Sequence, residues 1–201
     1  MVRDANYWQK RYASIKDLRV VGHAGKTTEA NEREYASAGA RFLELVAGDV
    51  APLPSGAASV LDIGYGLGHY ARLCRLAGFH SYVGLDLAAP PGPSLGPDYT
   101  YRKADIGAPL ELGRKFDLVL LIDVLFHVTD DARFAQTLSN VARHAAGMVY
   151  VTGLFRDDVK TAPHVVHRSL DRIRRALGDA ELVDMEPWRD TQIARLRLGA
   201  R

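Results

Sequence analysis

Three glycines alternate with other residues in Gly64-Tyr65-Gly66-Leu67-Gly68, directly after the apolar stretch Val60-Leu61-Asp62-Ile63. A helical pattern begins at His69. That order describes a strand running into a tight turn and then a helix. Glycine in the turn tolerates positive φ and lets backbone N–H groups approach a ligand that a Cβ would hold off. The helix aims its N-terminus at the same place. Carboxylates punctuate the neighbouring apolar runs. Asp62 stands two residues before the first glycine, and Asp86 ends Tyr82-Val83-Gly84-Leu85-Asp86. Asp105 follows the run at 100–103, and Asp123 follows the run at 116–122. A carboxylate at Asp86 has enough lone pairs to accept from both hydroxyls of a ribose. His127, His164 and His167 supply groups for moving a proton near neutral pH, and Arg168 adds a cation beside the last of them.

Residues this far apart meet only if secondary structure brings them together. Residues 29–47 show helical spacing, with Tyr35, Ala38, Phe42, Leu45 and Val46 on one side. Strands are expected at Val60–Ile63, Ser81–Leu85, Thr100–Lys103, Phe116–Ile122, Met148–Thr152, Ala180–Met185 and Ile193–Leu198. Helices are expected from Tyr70 to Ala77, from Asp130 or Asp131 to about Ala145, and from Ser169 to Gly178. Ala88–Pro97 carries four prolines and must be a loop, and a Pro/Gly/Ser patch at Ala51–Ala58 separates the long N-terminal helix from the first strand. Apolar strands between amphipathic helices indicate a parallel sheet covered on both faces. Only Glu186–Gln192 joins the last two strands, too few residues for a parallel crossover, so that pair is antiparallel. In such a sheet ligands sit beyond the carboxyl ends of the strands, where the glycine turn and the four aspartates fall.

Leu61–Gly68 resembles the first motif of the class I methyltransferases that use S-adenosylmethionine, in which apolar residues and an acidic residue precede G-x-G-x-G. The resemblance implies an α/β fold with a doubly wound, seven-stranded, mostly parallel sheet whose last strand is antiparallel. It implies one domain over 1–201, with residues 1–50 as a helical lid and 58–201 as the core. S-adenosylmethionine is the implied cofactor, held at Asp62, Gly64, Tyr65, Gly66 and Gly68. Asp86, with Leu87 beside it, takes the ribose. Asp105 accepts the adenine amino group and Ile106 packs on the ring. Asp123 and Val124, in Ile122-Asp123-Val124-Leu125-Phe126-His127-Val128, close over the methionine end. Asn6-Tyr7-Trp8-Gln9-Lys10-Arg11-Tyr12 resembles the opening of a lid helix, or else only packs the first helix onto the domain. His127 is the first candidate for a general base and His167 the second, while His164 and Arg168 are candidates for holding the acceptor. "LFHV" and "H-x-x-x-R-S"-like segments resemble those of enzymes that modify glycans and lipid-linked sugars, which points to an acceptor oxygen on a small molecule or glycan. Tyr65 departs from the small residue usual between the first two glycines, and its bulk either narrows the site or reaches the acceptor.

Other readings remain open at this level. His69 stands where the dinucleotide fingerprint G-x-G-x-x-G needs its last glycine, which weighs against a nicotinamide oxidoreductase. N-methylation of a small molecule and a non-catalytic, cofactor-binding scaffold are further alternatives. No Asn/Asp-Pro-Pro-Tyr segment follows the fourth strand, which argues against amino-methylation of DNA or glutamine. The 201 residues carry a net charge of +2, with Asp and Glu interleaved among the C-terminal arginines, so a nucleic-acid partner is not expected. The lone Cys74 reads as a small core residue, and His144 as structural at a helix end. Asp130 and Asp131 read as helix caps in preference to magnesium ligands, and no metal is expected. No apolar run matches a membrane span or a signal peptide, so a cytoplasmic monomer or homodimer is expected.

Overall fold

The computed structural model describes residues 3–15, 17–50, 58–157 and 159–199. Two helices, α1 (Arg3–Ser14) and α2 (Thr28–Val50), precede the sheet. Its first strand, β1 (Ser59–Ile63), runs through the glycine turn into α3 (His69–Leu76), and β2 (Ser81–Asp86) follows. Next come β3 (Tyr99–Lys103), β4 (Phe116–Leu121), α4 (Asp131–His144) and β5 (Ala145–Gly153). A hairpin of β6 (Val159–Ala162) and β7 (Val165–His167) then leads to α5 (Leu170–Ala176), β8 (Glu181–Trp188) and β9 (Thr191–Arg197). The Pro/Gly/Ser patch at Ala51–Ala58 lies, except for Ala58, outside the described residues.

Seven strands form one sheet in the order β3-β2-β1-β4-β5-β9-β8. All pairs are parallel except β5 with β9 and β8 with β9, so the last strand alone runs in reverse. This is the expected doubly wound sheet. Strand order reverses at β1, with β2 on one side and β4 on the other, and the ligand crevice belongs there.

Alternation along each strand sorts side chains between two cores. Leu61 and Ile63 face one way, packing with Val119, Leu121, Phe134 and Leu138 of β4 and α4. Val60 faces the other way, with Phe42 of α2, Cys74 of α3, Leu118, Leu120 and Tyr150. Cys74 is fully buried there, as a small apolar residue would be. Asp130 caps α4 by accepting the Arg133 N–H at 2.9 Å, and Ser169 caps α5 by accepting the Arg172 N–H at 3.4 Å. Buried His144 ties the end of α4 to carbonyls of Arg114 and Leu110 at 3.0 and 3.2 Å. Among the described residues no helix is long and apolar enough to cross a membrane.

The sequence pattern assigns no strands to 159–167, where the structure places the β6–β7 hairpin. Its arms hold four and three residues, too few to display a period of two. Pro163 sets the turn between them, at the position where its fixed φ fits.

Candidate active site

The carboxyl ends of β1 to β4 surround a cavity open to one side, the place where such sheets bind ligands. Its floor is the glycine turn. Gly64 and Gly66 have φ of 78° and 56°, and a Cβ on them would lie 2.3 Å from Val124 Cγ2 and 2.8 Å from Val21 Cγ1. Both conformation and space therefore require glycine. The turn is pinned to β2, because Gly64 N–H donates to the Leu85 carbonyl at 2.6 Å and Gly66 N–H to Asp86 Oδ2 at 3.3 Å. Gly68 caps α3 in the left-handed region against Pro93 and stands behind the cavity wall.

Two expected site residues have side chains held by other parts of the fold. Tyr65 contributes to the wall, but its ring is buried beside Tyr101 and its hydroxyl donates to the Pro90 carbonyl at 2.5 Å. That bond aims its hydroxyl at the proline loop, which it fastens, and not toward an acceptor. Asp62 is 2% exposed and lies outside the cavity lining. It shares a strand face with Val60, toward α2 and α3, and accepts the Tyr82 hydroxyl at 2.5 Å. Burial pushes its carboxyl up to about 7, against the opposing pull of that hydrogen bond. The folded state therefore binds a proton that the unfolded state releases above about pH 4. Stability falls as pH rises through the interval from about 4 to about 7 and stays reduced above it. Asp62→Asn keeps an acceptor for Tyr82 without this cost. It is expected to leave melting near pH 4 unchanged and to gain about 4 kcal/mol at pH 8. An equal shift in melting temperature at both pH values would refute this assignment.

Asp86 remains on the wall, with Leu87 beside it. Its oxygens receive N–H groups of Ala88 at 2.8 Å, Ala89 at 3.3 Å and Gly66. Burial raises its carboxyl above the usual range, and those donors partly offset the rise. Tyr12 of α1 lines the same side, its phenol raised by burial and then by the charge of Asp86. Beyond β3, Ala104, Asp105, Ile106 and Gly107 form the next part of the wall. Arg133, which sequence reasoning missed, lies over them and pairs with Asp105 at 2.6 Å.

Past β4, Asp123 has φ of 58° and is held on both sides. Its N–H donates to Thr152 Oγ1 at 2.7 Å, and the Thr152 hydroxyl returns a bond to Oδ1 at 3.0 Å. Arg189, in the β8–β9 turn, donates to Oδ2 at 2.7 Å and stacks over Tyr35 of α2 with its Cζ 4.6 Å from the ring centre. Burial raises the Asp123 carboxyl while Arg189 pulls it down. Asp131 pairs with Arg168 and Arg172. Asp123 and Asp131 thus both engage protein cations, and Asp130 caps its helix.

His127 ends the short helical turn after β4, and its ring lines the cavity. Its Nδ1 lies 3.1 Å from the carbonyl oxygen of His164, in the turn between β6 and β7. A carbonyl only accepts, so Nδ1 carries the proton and Nε2 the lone pair. Burial lowers its pKa to about 4, so the ring is neutral at neutral pH. The Trp8 ring meets it edge-on at 5.1 Å, and the His164 ring stacks on it at 5.5 Å and on Tyr7 at 4.4 Å. Arg11 binds α1 to the following loop by donating to the carbonyls of Val20, Arg19 and Gly22, each at 2.6 Å.

The structure does not bring His167 or Arg168 to the cavity. His167 is 4% exposed, and its Nδ1 accepts the Leu154 N–H at 3.2 Å. Arg168 donates to carbonyls of Val128, Thr129 and Val166, pairs with Asp131 at 2.9 Å and covers the Phe134 ring at 4.3 Å. Both fasten the hairpin to the core. The reason is the alternation of β7, which turns Val165 and His167 inward together.

A family model described as a methyltransferase domain matches residues 28–190. A ubiquinone biosynthesis O-methyltransferase of Methylobacterium nodulans is 36% identical over 94 residues, which span 43% of this chain and 37% of that protein. Among solved structures, magnesium protoporphyrin IX methyltransferase from Synechocystis PCC 6803 with bound S-adenosylmethionine superposes with a TM-score of 0.68 at 17% identity, covering 99% of each chain. The N-methyltransferase NodS from Bradyrhizobium japonicum WM9, in complex with S-adenosylhomocysteine, has a TM-score of 0.67 at 13% identity, covering 98% of this chain and 99% of its own. At those identities the structures speak for the fold alone, and the family match carries the assignment. The chain belongs to the methyltransferase-domain family, of the class I, S-adenosylmethionine-dependent kind that its glycine turn resembles.

Proposed function

We propose that the protein transfers a methyl group from S-adenosylmethionine to an oxygen of a small hydroxylated molecule, with His127 as general base. The observation that carries the reading is the Nδ1–H bond of His127 to the His164 carbonyl, which leaves the lone pair on Nε2 of a residue that lines the cavity. The residues fit the cofactor. Gly64, Gly66 and Asp86 stand together on the cavity wall, where a carboxylate and a side-chain-free turn suit the cofactor. Gly64, Gly66, Asp86 with Leu87, Asp105 with Ile106, and Asp123 with Val124 would hold it. The bound cofactor supplies an electrophilic methyl on a positively charged sulfur, so alignment provides much of the rate.

A hydroxyl acceptor must lose its proton as its oxygen attacks the methyl carbon. His127 Nε2 receives that proton while Nδ1–H stays on the His164 carbonyl. Residues 1–50 act as a lid over the core at 58–201. Supporting this, Trp8, Tyr12, Val21 and Tyr35 all line the cavity. The O-methyltransferase of Methylobacterium nodulans supports an oxygen acceptor, whereas the likeness to an N-methyltransferase keeps nitrogen as the second reading. His167 and Arg168 are fastened into the fold and do not reach a glycan in the cavity. Sugars stay in the acceptor class beside other hydroxylated molecules.

The test is direct. Calorimetry with S-adenosylmethionine, S-adenosylhomocysteine and NADH is expected to show binding of the first two only. Mass spectrometry after incubation with methyl-labelled cofactor and panels of phenols, sugars and amines is expected to find label on oxygen. Label on amines alone would establish the nitrogen reading. Cofactor binding without transfer to any acceptor class would favour a scaffold.

A further inference from the structure

The carbonyl that fixes the His127 tautomer stands at the tip of the β6–β7 hairpin. That hairpin is a two-stranded sheet of its own, outside the seven-stranded one, and two strands alone are only marginally stable. His167 and Arg168 fasten its foot to the core. Its tip meets α1. The His164 ring stacks on Tyr7 with centres 4.4 Å and planes 23° apart, and on His127 at 5.5 Å and 9°. Trp8 meets both neighbours edge-on, His127 at 84° and Tyr7 at 82°. Tyr7 is held in turn by Arg11, whose Nη1 donates to its hydroxyl at 2.7 Å while Nε and Nη2 bond the carbonyls that follow α1. Neither Tyr7 nor His164 lines the cavity, whereas His127 does.

The proton of a neutral imidazole stays where a hydrogen bond holds it. With the carbonyl displaced, the proton is free to pass to Nε2, which then donates and can no longer accept. We propose that Tyr7 is a positioning residue for the base: its ring seats His164, and through the His164 carbonyl it keeps the His127 proton on Nδ1 and the lone pair on Nε2. Helix α1 thereby sets the base as well as covering the site. This rests on the reading that His127 is the base. Tyr7 acts through His164 and itself takes no proton.

The experiment is long-range proton–nitrogen NMR of the imidazoles in the full chain at pH 8, with the His127 signals identified by their loss in His127→Ala. Wild type is expected to show a protonated Nδ1 and a bare Nε2 at His127. Tyr7→Leu is expected to move the proton toward Nε2 and to slow methylation of an alcohol roughly tenfold, the upper worth of an aromatic pair. An already ionised nitrophenol, which needs no base, should be slowed far less. Tyr7→Phe keeps the ring, loses only the bond from Arg11, and is expected to recover most of the rate and the wild-type tautomer. His164→Ala keeps the carbonyl without the ring and is expected to match Tyr7→Leu; it decides the matter if circular dichroism shows the Leu variant unfolded. A Tyr7→Leu variant that keeps its proton on Nδ1, beside a slow His127→Ala, overturns this inference alone. Equal losses for alcohol and nitrophenol in Tyr7→Leu overturn it too, since α1 then only covers the site. Normal alcohol turnover by His127→Ala overturns the base reading and this inference with it.

Discussion

His127→Ala is expected to slow methyl transfer to a hydroxyl by roughly 10²- to 10⁴-fold, the usual contribution of a positioned base, while cofactor affinity stays within about threefold of wild type. The two effects separate because of where the ring stands. In the proposed site the glycine turn and the aspartates at the ends of β2 and β3 would hold the cofactor without it, whereas its Nε2 would be the neutral acceptor that the His164 carbonyl orients. With a pKa of about 4, His127 is already deprotonated at pH 6. Turnover should therefore be flat in this group from pH 6 upward and fall only as pH drops toward 4. An ordinary histidine would bring the fall near pH 6.5. Acceptor acidity gives a second readout. A nitrophenol, already ionised at pH 8, has no proton to lose and should be far less sensitive to the substitution than an alcohol. Normal turnover of alcohols by the variant would place the base elsewhere or dispense with one. Equal losses for alcohol and nitrophenol would make His127 a packing residue for the hairpin turn.

The parts of this site that were legible in the sequence are those encoded by local pattern. An apolar run ending in a carboxylate marks a strand end, so Asp86, Asp105 and Asp123 were readable one at a time. The parallel topology then gathers them on one edge. The face on which a side chain falls was not readable where both faces of a strand are buried. All five residues of β1 are buried, so nothing in the pattern showed that Asp62 points with Val60 into the α2–α3 core. The direction of the Tyr65 hydroxyl was unreadable for a related reason. Its partner is the Pro90 carbonyl, 25 positions away, in a loop whose path no periodicity describes. His167 and Arg168 lie at a hairpin too short to show alternation. Arg133 and Arg189 act across 28 and 66 residues, and their roles follow from tertiary pairing alone. Tyr35 was legible as the buried face of a helix, but its place beside the cavity was not.

Asp86→Ala is expected to weaken S-adenosylmethionine binding by about 100-fold or more, as two bonds from ligand hydroxyls to a charged acceptor would imply. Asp86→Asn retains one acceptor oxygen and a similar shape, and is expected to lose about tenfold. The carboxylate also receives the N–H groups of Gly66, Ala88 and Ala89, so part of either loss comes from a loosened glycine turn. A double-mutant cycle separates the two contributions. A cofactor analogue lacking the ribose hydroxyls should bind wild type about as poorly as S-adenosylmethionine binds the Ala variant, and should lose little further against that variant. If the analogue and the substitution instead act additively, Asp86 braces the turn and the ribose is held elsewhere. The pH dependence runs in a definite direction. Burial holds the Asp86 carboxyl above the ordinary range, and ligand hydroxyls bond best to its ionised form. Cofactor affinity in the wild type should therefore decline on acidification at a higher pH than an exposed aspartate would give. In Asp86→Asn, with nothing at that position left to protonate, this decline should disappear.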